Sequence, residues 1–155
     1  MSAFKSIHLA VEMASRQRDG MQKNLVQVQR SRLFALDQMS QLEKYAVDTE
    51  SKWLVSAQRG ASPEVMRHHY QFMDRLRQAI ALQFKVLADV DRQIEAARQQ
   101  VLQAEFRVMS LKHMLAKKQA DVVAVNARRE QKQMDEFASS LYARSNTRQF
   151  SGVAL

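Results

Sequence analysis

A chain of 155 residues has the length of one domain, yet this one carries a single proline and three glycines. Few positions can therefore turn the backbone, which argues against a globule of several short, connected helices. The absence of cysteine removes disulfide frameworks and thiolate metal sites, and a net charge of +8 points to acidic partners: an acidic protein surface, an anionic membrane face or nucleic acid.

Strands are not expected, because no stretch alternates apolar and polar residues between turn signals. Glutamine, alanine, arginine, leucine and methionine dominate, and all favour helix. The segment from Met1 to Met13 lacks an apolar run long enough for a secretory h-region. The longest late apolar run, Val122 to Val125, is far short of the roughly 20 residues of a spanning helix. The expectation is a soluble or at most peripheral chain without direct transmembrane insertion.

A first helix is expected over about 3–58. Its apolar residues keep a 3,4 spacing: Phe4, Ile7, Val11, Ala14, Met21, Leu25, Val28, Ala35, Met39, Leu42, Ala46 and Trp53, interrupted by Arg18, Arg32 and Thr49. A turn follows over 59–63. Gly60 can take the left-handed conformation that ends a helix. Ser62 can cap the next one, Pro63 suits the first helical position, and Glu64 complements the helix dipole.

A second helix is expected over about 63–143. Its stripe runs Met66, Met73, Leu76, Ile80, Leu87, Val90, Ile94, Ala97, Val101, Ala104, Val108, Leu111, Leu115, Val122 and Val125, interrupted by His69, Gln83 and Lys118. Seven-residue repeats of this length keep one seam facing a partner, and the short turn makes the two helices antiparallel neighbours. Folding about the turn places residue i near residue 121 minus i, so Phe4 lies near Lys117 and Met39 near Leu82. The fold class is all-α: two long helices in an antiparallel coiled-coil hairpin spanning residues 1–145, with the longer C-terminal helix overhanging.

At 1.5 Å per residue the first helix spans on the order of 80 Å and the second about 120 Å, leaving an overhang of roughly 25 residues. There the heptad stops, and Met134, Phe137, Ala138, Leu141 and Tyr142 form a different stripe with no partner on the first helix. Such an unpaired amphipathic end suggests docking into another protein. From Arg107 to Lys132, seven basic residues stand against two acidic ones. Residues 146–155 are expected to form a flexible tail.

Several short segments, in order and across nearly the whole chain, carry a family likeness: Arg18-Asp19, Gln41-Leu42-Glu43-Lys44-Tyr45, the Gly60 turn, Tyr70-Gln71-Phe72-Met73, and Arg129-Glu130-Gln131-Lys132-Gln133-Met134-Asp135-Glu136. The chain resembles the FliJ family, the small coiled-coil proteins of the bacterial flagellar type III export apparatus. The resemblance implies a γ-like stalk whose helix ends enter the hexameric export ATPase FliI and whose side contacts the export gate protein FlhA. It also implies binding to FliH and escort of the export chaperones FlgN and FliT, on the cytoplasmic face of the inner membrane.

By the resemblance, gate contact falls to Gln38, Leu42, Tyr45, Phe72, Leu76 and Ala79, and ATPase contact to Phe4, Ile7, Arg128, Arg129, Gln131, Lys132, Asp135 and Glu136. With Met39 and Met73 at heptad position a, Gln38, Tyr45, Phe72 and Ala79 occupy g and Leu42 and Leu76 occupy d, so all six share one flank. The plainer reading of Tyr45 and Phe72 is that they lie flat over the core. Arg18 and Arg32, at a positions, set register or snorkel.

His68 and His69 are adjacent and face different sides, and no carboxylate or cysteine completes a metal site with them or with His8 and His113. With no phosphate-binding glycine loop and no catalytic constellation, the chain is read as a non-enzyme without metal or cofactor. Two other functions stand as alternatives: the stalk of a virulence-type secretion system, which shares the architecture, and a basic coiled-coil nucleic-acid binder, against which the hairpin turn and Glu130, Asp135 and Glu136 argue, so that no nucleic-acid partner is expected.

Overall fold

The computed structural model describes residues 2–152 and consists of two helices, α1 (Ser2–Gln58) and α2 (Pro63–Ser151), packed on each other as a helical hairpin. The connection is built as its residues dictate. Arg59 and Gly60 donate their backbone N–H groups to the carbonyls of Ser56 and Ala57, at 3.1 and 3.2 Å. Gly60 has φ 87°, in the left-handed region. The Ser62 hydroxyl then accepts from the Val65 N–H at 3.3 Å, a cap that stabilises a helix by about 1 kcal/mol. Glu64 lies in the first turn of α2.

Packing groups the residues into two units: Ala14–Arg107, and Met1–Met13 with Val108–Leu155. In the first unit the core is a ladder of small and medium side chains. Ala14, Ala35, Met39, Met73, Leu76, Leu87, Ile94 and Ala97 are buried, and Ala35, Met39 and Leu87 form a cluster against which Ile80 packs. All of these stand on the expected stripes. A seam between only two helices leaves the rest of each helix in water, so stability rests on this narrow line.

Of the six polar interruptions of the stripes, three pair across the hairpin. Arg32 would face position 89 and donates from Nε to Asp91 Oδ1 at 2.6 Å. Gln83 donates from its amide to the Ala35 carbonyl at 2.8 Å and to Gln38 Oε1 at 3.4 Å. Arg18 instead turns to its neighbour Asp19, with Nε and Nη2 both 3.2 Å from Oδ1. His69 stacks on Trp53 with ring centroids 4.1 Å apart and planes at 10°. These cross-helix pairs are those the antiparallel register brings together.

In the second unit Val108 is buried at 2 % exposure, and Phe4, Ile7, Val11, Leu111 and Leu115 are half-buried. Burial ends at Leu115. Lys118, Val122 and Val125, which continue the stripe in sequence, are exposed, as is every residue from Ala116 to Gly152. The reason is register: continued from pairs such as Gln38 with Gln83, it brings the start of α1 at Ser2 level with positions close to 119. At the turn end, Met66 is likewise exposed.

α2 also runs on to Ser151, past the expected helix end near 143 and into the stretch expected to be a tail; residues 153–155 of that stretch lie outside the described residues. The hydroxyls here bond back to their own helix. Ser145 donates to the Tyr142 carbonyl at 2.9 Å, Thr147 to Ala143 at 2.6 Å and Ser151 to Arg148 at 3.1 Å. Residues that ordinarily compete with helix are thereby accommodated within it.

Candidate functional site

The flank carrying heptad positions g and d gathers the residues expected to contact the gate. Tyr45, from α1, and Phe72, from α2, meet edge to face with ring centroids 5.8 Å apart and planes at 78°. Tyr45 remains 56 % exposed and Phe72 38 %. The two rings pack on each other, and both keep part of their surface in water. An exposed aromatic pair of this kind is a surface that a partner can cover.

The other four residues hold different positions. Leu42 is half-buried and lines an open groove of about 450 Å³ with Gln38, Gln41, Tyr45 and Gln83. Gln38 is exposed and accepts from the Gln83 amide, which ties it to α2. Ala79 is half-buried, whereas Leu76 is 7 % exposed and belongs to the core. Leu76 has little surface to offer. Gln41 was not among the expected residues; its position at c, one helical turn before Tyr45, is the signal that would have found it. Its amide donates to Asp37 at 3.1 Å.

A second groove, of about 380 Å³, continues past Phe72 toward the turn and includes Trp53, Val65, His68 and His69. The adjacent histidines, expected to face different sides, both line it. Tyr70 adds an edge-to-face contact with Trp53 at 6.5 Å.

The residues expected to contact the ATPase form two groups in the second unit. Phe4 and Ile7 are half-buried in the seam. Arg128, Arg129, Gln131, Lys132, Asp135 and Glu136 are exposed on α2, beginning roughly 16 Å of helix beyond the level of Phe4. The Gln131 amide donates to Asp135 at 3.3 Å. Around them Met134, Phe137, Leu141 and Tyr142 are 50–69 % exposed, an unpartnered apolar stripe at helical spacing.

Among the described residues, no group of three or more histidine or carboxylate side chains could hold a metal ion, and no helix is long and apolar enough to cross a membrane. Fold and flank together define a helical hairpin with an exposed aromatic pair on one flank and an exposed end to its second helix. The family model described as Flagellar FliJ protein matches residues 4–147, and the chain belongs to that family. No curated protein and no solved structure matches it. The family makes this a component of flagellar protein export, and it is a family of non-enzymatic components.

Proposed function

We propose that the chain acts as a stalk between the export ATPase and the export gate. In this reading the exposed end of α2, with Arg128 to Glu136 and the apolar stripe from Met134 to Tyr142, enters the FliI hexamer together with the Phe4 and Ile7 end of α1. The flank of Gln38, Leu42, Tyr45, Phe72, Leu76 and Ala79 contacts FlhA, Leu76 contributing from its buried place in the core. FliH and the chaperones FlgN and FliT bind as further partners, and the chain sits at the cytoplasmic face of the inner membrane through these contacts.

The observation that most supports the reading is the run from Ala116 to Gly152, helical almost throughout and without one buried residue. Most helical stability in proteins comes from packing an amphipathic face, and apolar side chains at Met134, Phe137, Leu141 and Tyr142 gain little until covered. Coupling two machines through a stalk requires contacts that differ between two states at each end. ATPase assays with the full chain and with a chain ending at Val125 test the assignment. The full chain is expected to stimulate the ATPase and the shortened chain to lose most of that stimulation; full stimulation by the shortened chain would refute the assignment of this end.

A further inference from the structure

The ridge made by Tyr45 and Phe72 has a groove on each side, and the two differ in chemistry. On the side away from the turn, the groove is walled by the amides of Gln38, Gln41 and Gln83 over Leu42, with no charged side chain in its lining. On the side toward the turn, the floor is the stacked pair Trp53 and His69 with Val65, and the walls carry Lys52, His68 and the hydroxyl of Thr49. Lys52 makes no ion pair among the described residues. Asp48 stands at the c position of this flank, whereas Glu50, at e, falls on the opposite one. The second groove is therefore an apolar slot with cationic and hydrogen-bond-donating walls.

We infer that this second groove is an extension of the gate-contacting surface and that it takes an acidic, apolar segment of the same partner. The inference rests on the proposed gate contact at Tyr45 and Phe72. Continuity carries it, since Phe72 lines the second groove while its ring packs on Tyr45, which lines the first. A segment laid along the ridge reaches both. Charge carries the rest: a carboxylate set near Lys52 and His68 gains a partner there, while an apolar side chain covers Trp53 and Val65, which is 50 % exposed. In the amide-walled groove the same segment meets only neutral donors and acceptors. The partner is thus asymmetric, acidic at its turn-facing end and neutral at the other.

Calorimetric titration of the full chain with the soluble portion of the gate protein, at low and high salt, tests this. Three double variants are compared: Tyr45→Ala/Phe72→Ala at the ridge, Lys52→Glu/His68→Glu in the second groove, and the shape-preserving Lys52→Gln/His68→Gln. Lys52 and His68 are exposed, so helicity by circular dichroism should be unchanged in the last two. The ridge variant is expected to weaken binding strongly. The charge-reversed groove variant is expected to weaken it about tenfold and to flatten its salt dependence, with the glutamine variant in between.

Loss at the ridge with wild-type affinity in both groove variants would overturn the extension and leave the proposed gate contact standing. Wild-type affinity in all three would overturn both. Loss in the groove variants alone would overturn the continuity on which the inference depends. Binding of the chain to phosphatidylserine vesicles that Lys52→Glu/His68→Glu abolishes, with gate affinity intact, would assign the groove to a lipid surface instead.

Discussion

At Gly60 the backbone has φ 87°, and a Cβ built there would meet nothing within 4 Å. The cost of a side chain is therefore purely conformational. Gly20 also faces open space, but it sits inside α1 with no positive φ. The same substitution should act in opposite directions at the two sites. Gly60→Ala is expected to destabilise by about 1 kcal/mol, from the left-handed penalty. Gly20→Ala is expected to stabilise by about 0.5–1 kcal/mol, from helix propensity. Chemical denaturation of both variants checks this, and destabilisation by Gly20→Ala would mean that the open face is occupied in solution. The Arg32 and Asp91 pair belongs to the same scale. Both side chains are substantially exposed, at 40 % and 54 %, so a double-mutant cycle should give a coupling under about 1 kcal/mol that shrinks with added salt.

At the scale of the element, α1 was legible nearly throughout. Every stripe position from Phe4 to Trp53 is buried or half-buried, because a strict 3,4 spacing leaves one face for the seam. α2 was legible only where it has a partner. The spacing alone ran on through Val122 and Val125, but burial stops at Leu115; a pattern states which face could be covered, and the reach of the other helix decides whether it is. The end of α2 was missed for another reason. Serines, an asparagine and a threonine after Tyr142 read as a frayed tail, and only coordinates show their hydroxyls bonded back to the helix.

A further consequence at this scale concerns stability. Since no described residue after Leu115 is buried, ending the chain at Val125 should remove helical signal without lowering the midpoint of thermal unfolding. A clear fall in that midpoint, measured by circular dichroism, would show that the exposed end packs on the rest of the molecule. The flank was legible in part. Heptad position placed Tyr45 and Phe72 side by side, but not the edge-to-face geometry that leaves them exposed, nor the Trp53 and His69 stack, because spacing gives an azimuth and says nothing of ring orientation.

For the molecule as a whole, charge and exposure are distributed to separate purposes. The surplus of positive charge between Arg107 and Lys132 lies on and beside the exposed end of α2, where it would steer an acidic partner. The Tyr45 and Phe72 flank is apolar and amide-rich on the side away from the turn, with Lys52 and His68 on the side toward it. One hairpin thereby offers two dissimilar faces, and the stalk reading requires that they serve different proteins. Site-specific photo-crosslinking in motile cells, with the photoreactive residue at Phe72 in one strain and at Lys132 in another, tests that claim most directly. Phe72 is expected to capture the export gate protein and Lys132 the export ATPase. Capture of one and the same partner from both positions would contradict the account.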